Sequence, residues 1–162
     1  MTDQASPPQE KARSLSAPDQ ANLFRGKFLD KCARVERWAA DLLEEAGKDI
    51  QDIQYVRQRI AAVRNLAKAE SSPLKSPQSV LKLLERYEPF ADLRTCLAHG
   101  ALEIFEARDG TRGWAFEPHC SPAAGWKATL LREAQSKQLL DELSRVANEL
   151  LQQTLKPKPK AS

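Results

Sequence analysis

Cysteine is scarce in this chain, and its three copies, Cys32, Cys96 and Cys120, are odd in number and widely spaced. That excludes a disulfide framework and points to a reducing compartment. No apolar run approaches the ~20 residues needed to span a bilayer, so no membrane association is expected. The first twenty residues carry no apolar stretch, which argues against a signal peptide or anchor and makes the cytoplasm the expected location. There is no Gly-rich phosphate loop, no serine in a nucleophile-elbow context and no patterned pair of carboxylates. Those absences set aside the common nucleotide-dependent and serine-hydrolase chemistries.

What is present belongs to an ordinary globular protein of one domain, 41% hydrophobic and 29% charged over 162 residues. The formal charge of +3 is an effect of the terminus: with Lys156, Lys158 and Lys160 set aside, 22 basic residues face 22 acidic ones. An anion site must therefore be a local patch.

Along the chain, residues 1–18 are rich in Ser, Pro, Gln and charge and read as a disordered arm. From 19 to about 46 the residues Phe28, Cys32, Val35, Ala39, Leu42 and Ala46 recur at steps of 4, 3, 4, 3 and 4, the seam of an amphipathic helix closed by Gly47. Cys32 lies on that seam as a small core residue. Ile53, Val56, Ile60, Val63 and Ala67 predict a second helix over 49–69, packed antiparallel to the first. Its Arg57, Arg59 and Arg64 are either a solvated face or a track for RNA.

Ser76-Pro77 predicts the start of a third helix, with Val80, Leu81, Leu83, Leu84 and Tyr87 inward. Pro89 predicts a kink or restart, after which Phe90, Leu93 and Leu97 continue to His99. Beyond Gly100 the period shortens. Leu102, Ile104, Phe105, Trp114 and Phe116 flank Asp109-Gly110, a hairpin turn signal, and Trp126, Ala128 and Leu130 suggest a third strand. Leu139, Leu140, Leu143, Val146, Ala147, Leu150 and Leu151 mark a final helix over 133–155. The expected fold is mainly α: an up-and-down bundle of four to five helices with a small antiparallel β-meander, about 101–131, inserted before the last helix. The domain is expected to span 19–155, followed by a basic Lys-Pro tail, 156–162.

The stretch Leu93–Gly100 is the main candidate for chemistry. Arg94 can hold a phosphate oxygen and His99 can move a proton near neutral pH. Five residues along an α-helix turn the side-chain direction by about 140°, so the two converge only if the last turn tightens or unwinds, or if a substrate lies across the helix end. The same residues also make an ordinary helix terminus, a cationic side chain followed by glycine. Cys96-x-x-His99 with His119-Cys120 supplies zinc-type donors, but His119 and Cys120 are adjacent and would point to opposite faces of a strand, so no metal site is assigned. Trp114, Phe116 and Trp126 are either a base-stacking platform or the face that packs on the helices.

Leu-Arg-x-x-Leu-Ala-His-Gly resembles the Arg-x4–6-His motif of the HEPN superfamily, compact helical bundles found in bacterial toxin–antitoxin and defence systems. With the long helices before it and the motif on a late helix, the resemblance covers roughly 22–155. It implies a metal-independent, cofactor-free endoribonuclease acting on RNA as a homodimer, with an antitoxin-like protein as a further partner. Carried onto this chain, His99 would be the general base or acid and Arg94 would bind the phosphoryl group, with Thr95 and Gly100 in supporting positions. The position after the arginine is often an amide or acid in active members and is Thr95 here; other members are non-catalytic binding modules.

Overall fold

The computed structural model describes residues 15–51, 53, 55–118 and 129–157. Four helices, α1 (Ala17–Glu45), α2 (Val56–Lys68), α3 (Pro77–His99) and α4 (Glu133–Leu151), enclose one core. Between α3 and α4 lies a three-stranded antiparallel sheet in the order β1 (Gly100–Glu106), β2 (Arg112–Pro118), β3 (Thr129–Arg132). The fold is thus mainly α, with the meander inserted before the last helix, as the periodicity predicts.

α1 starts earlier than the expected 19. Ser16 caps it, its Oγ accepting from the Asp19 N–H, and Pro18 fits the first turn because its missing N–H has no helical partner there. Ala17 and Pro18 therefore belong to the helix and not to an arm; residues 1–14 lie outside those described. The seam reads as predicted: Phe28, Cys32, Val35, Ala39 and Leu42 are all buried. Trp38 joins them, and its Nε1–H donates to the Gln153 carbonyl at 3.1 Å.

α2 begins at Val56 rather than 49. The Asp49 carboxylate accepts from the Gln51 N–H at 2.9 Å, and the Ile53 N–H donates to the Ile50 carbonyl. These local bonds hold the segment in turns that compete with helix.

Pro89 does not break α3, so of the kink or restart expected there the restart does not occur, and the four helices are the lower count of the expected four to five. Proline frees the carbonyl four residues earlier, and both Pro89 and Glu85 are on the exposed face, where that carbonyl is open to solvent. Burial of Leu84, Tyr87, Phe90 and Leu97 on the other face holds the helix together through the proline.

The β1–β2 turn is built around Gly110, whose φ of +77° suits glycine, with the Asp109 carboxylate accepting from the Thr111 N–H at 2.9 Å. Trp114 and Phe116 are buried, and Trp114 lies against Phe24 of α1 with ring centroids 5.3 Å apart. They form the packing face of the sheet, so the stacking-platform alternative does not hold for them; Trp126 lies outside the described residues. The third strand is Thr129–Arg132, beginning three residues after Trp126.

α4 stops at Leu151, short of 155, and the chain after it is held by the α2–α3 loop. Leu155 bridges to Leu74, and Lys156 donates through its N–H to the Pro73 carbonyl and through Nζ to the Ser72 carbonyl. The first lysine of the tail is thereby part of the fold; 158–162 are outside the described residues. Among the described residues no helix is long and apolar enough to cross a membrane.

Candidate functional site

The face α1 presents to α3 determines where Arg94 goes. Helical side chains lean back toward the N-terminus of their own helix. Arg94 crosses to α1, and its Nε donates to Glu36 Oε1 at 3.0 Å, with the two side chains 30% and 14% exposed. Around this pair lie the buried Cys32 and Tyr87. Burial pushes the Cys32 thiol up, to about 11, and the nearby Glu36 carboxylate adds to the rise while Tyr87 and Arg94 oppose it. Burial likewise raises the Tyr87 phenol, with Cys32 and Glu36 adding to it. Among the described residues Tyr87 Oη has no hydrogen-bond partner, although the Cys32 thiol stands close enough to influence its proton.

His99 is elsewhere. α3 stays helical through His99, so the last turn does not unwind to bring the two side chains together, and no hydrogen bond joins them. His99 is exposed where α3 passes directly into β1. Gly100 makes that passage in an extended conformation, φ −78° and ψ 142°, and not in the left-handed one expected of a glycine closing a helix. Its role is close approach: a Cβ there would lie 2.6 Å from the Cys96 carbonyl oxygen and 3.2 Å from that of Glu117. Thr95 is committed to its own helix, with Oγ1 donating to the Ala91 carbonyl.

Two residues of this region were not singled out from the sequence. Glu36 holds Arg94, and Arg25 donates from Nη2 to the Ala98 carbonyl at 3.2 Å, beside His99. The signal for both was the seam itself: Glu36 follows Cys32 by four, and Arg25 precedes Phe28 by three and Cys32 by seven. A charge at a position the seam reserves for apolar residues needs a partner on the facing helix.

The arginines of α2 are engaged. Arg57 pairs with Asp92 at 2.7 Å, Arg64 with Glu88 at 3.6 Å, and Arg59 Nε donates to the Ile53 carbonyl. Two of the three are partnered by carboxylates of α3 and the third by the segment before α2, so this is not a row of unpaired cations. Among the described residues no three His, Cys, Asp or Glu side chains gather to hold a metal ion, and His119 and Cys120 lie outside them. Two surface clefts, about 580 and 760 Å³, flank α1, and neither is lined by Arg94 or His99. His99 is exposed at the end of α3, a setting that suits a polymer or another protein better than an enclosed small molecule. Compared with known proteins, the chain matches no family model, no curated sequence and no solved structure.

Proposed function

We propose that the chain is a HEPN-like, metal-independent endoribonuclease of toxin or defence type, acting on RNA as a homodimer through Arg94 and His99. The observation that carries this reading is the exposed imidazole at the end of α3, with Arg25 of α1 bonded to the carbonyl of the preceding residue, Ala98. One His99 would take the proton of a ribose 2′-hydroxyl as its oxygen attacks the adjacent phosphorus. The imidazolium of the second subunit would return a proton to the departing 5′-oxygen, leaving a cyclic phosphate. Arg94 would stabilise the charge on the phosphoryl oxygens. Its Nε is occupied by Glu36, which fixes the plane of the guanidinium, and its two terminal nitrogens have no protein partner among the described residues.

The test is cleavage of single-stranded RNA by the purified chain in EDTA. Cyclic-phosphate ends are expected, with loss of about 10²–10⁴-fold in His99→Ala, the usual worth of a general acid or base. RNA left whole by the wild type, or cut equally by both proteins, overturns the reading. A second reading is a non-catalytic HEPN-like module that binds a partner protein or nucleotide at the same helix end. Two contacts favour it: Glu36 neutralises Arg94, and the Thr95 hydroxyl is turned back onto Ala91. On that reading Arg94→Ala weakens association with the partner, and the chain is harmless to cells.

A further inference from the structure

An anion that approaches His99 meets the wrong end of a helix. The last carbonyls of an α-helix lack intrahelical partners, and the dipole there is negative, so phosphate is repelled unless cations cover it. Arg25 covers it. From the third turn of α1 its Nη2 reaches the carbonyl of Ala98, the residue immediately before His99, at 3.2 Å. A guanidinium carries five N–H donors in a fixed fork. One is given to Ala98, and among the described residues Arg25 has no carboxylate partner for the remainder. The side chain is half-buried, so its position is set by packing and not left to solvent. Arg94 differs in its partner, its Nε being given to the Glu36 carboxylate beside the Cys32–Tyr87 enclosure.

We propose that Arg25 is the phosphate-binding arginine at His99: it anchors one N–H on the end of α3 and presents the rest of its fork to a phosphodiester of single-stranded RNA lying across that end. The proposal rests on the RNA reading above and adds to it a residue from outside the motif. Arg25 neutralises the helix end and supplies hydrogen bonds to the phosphate oxygens, while His99 handles the proton.

The experiment measures binding of a fluorescently labelled single-stranded RNA to the full chain by anisotropy, in the His99→Ala background so that the RNA stays whole, between about 50 and 200 mM salt. Arg25→Gln keeps a side-chain N–H for the Ala98 carbonyl but removes the charge. Arg25→Lys keeps the charge without the fork, and Arg145→Gln removes an exposed arginine on α4. For Arg25→Gln the expected result is about tenfold weaker binding at low salt and a dependence of log K on log salt shallower by about 0.7, the value of one phosphate contact on a single strand. Arg25→Lys should lose about threefold, and Arg145→Gln should bind as its parent does. Unchanged affinity and slope in Arg25→Gln overturns the proposal while leaving the nuclease reading intact. A lower melting temperature with an unchanged slope also overturns it, since that is a helix cap and nothing more. If the parent binds no RNA at any salt, both this proposal and the RNA reading fall, whereas RNA bound by the parent but never cut by the wild type removes only the nuclease.

Discussion

The contact between α1 and α3 has two polar ends that behave oppositely. At one, Cys32, Glu36, Tyr87 and Arg94 are enclosed or half-enclosed, and burial governs the protons of Cys32 and Tyr87. At the other, Arg25 and His99 stand at the surface where α3 becomes β1. The motif residues Arg94 and His99, only five apart, fall on different sides of this division. An unbroken helix turns them about 140° away from each other, and the one facing α1 is taken up by the protein's own carboxylate. A sequence motif of two residues is therefore not yet a site. What makes His99 a candidate is the arginine that a distant part of the chain brings to it.

The division is broken most severely by removing Arg94. Arg94→Ala leaves Glu36, 14% exposed, without its cation, and the expected loss is about 2–4 kcal/mol. The lower end of the range for a buried pair applies because Arg94 itself keeps 30% exposure. Arg57→Ala, which removes a pair of shorter distance but with side chains 73% and 65% exposed, should cost no more than about 0.5 kcal/mol. Urea unfolding of both variants is the measurement. Equal losses would mean that the enclosed end is no more demanding than the surface, and the contrast between the two ends would collapse.

The fold was largely legible because its signals are local and repeated. The seam of α1 and the stripe of α4 each place an apolar residue every three or four positions, and Asp109-Gly110 marks the hairpin. The misread boundaries were those where a few side chains decide, as with Asp49 turning back on Gln51, or where an exposed face forgives a local fault, as at Pro89. The candidate site was legible only in part. Arg94 and His99 stand out as residue types, but Arg25 and Glu36 become relevant only once α1 lies against α3, across separations of 73 and 58 residues. No short-range pattern carries that pairing. The odd charges on the seam announced that partners were needed without saying which.

A second way to sharpen the contrast is alkaline pH. The Cys32 thiol is raised from its ordinary 9.0 to about 11 in the folded chain, chiefly by burial. Between those values the native state keeps a proton that the unfolded state has released, so stability is fully present below pH 9 and falls as pH rises toward 11. The span corresponds to about 2–3 kcal/mol at the upper limit. The buried Tyr87 phenol is also raised and acts in the same direction at higher pH. Urea midpoints measured from pH 8 to 11 should decline, and Cys32→Ala should decline less over the same window. A flat profile in the wild type would show that the enclosure opens too readily for burial to control its protons.

The smallest effect is the most specific. Tyr87 is among the largest fully buried side chains, yet its hydroxyl lacks a hydrogen-bond partner among the described residues. Burying a hydroxyl without a partner costs free energy, and removing the group while keeping the ring refunds the desolvation without opening a large cavity. Tyr87→Phe is therefore expected to leave stability unchanged or raise it by up to about 1 kcal/mol, read from the urea midpoint at pH 7. Such a result would make the enclosed end a packed support whose polar atoms are not all required. A loss of more than about 1 kcal/mol would instead show that the phenol is bonded in solution, to the Cys32 thiol or to an enclosed water, and that Tyr87 belongs to the network that holds Glu36 and Arg94. Arg25 and His99 lie at the other end of the same helix pair, so neither outcome should alter their binding of RNA; if Tyr87→Phe did alter it, the two ends would be coupled through α3 and no longer separable.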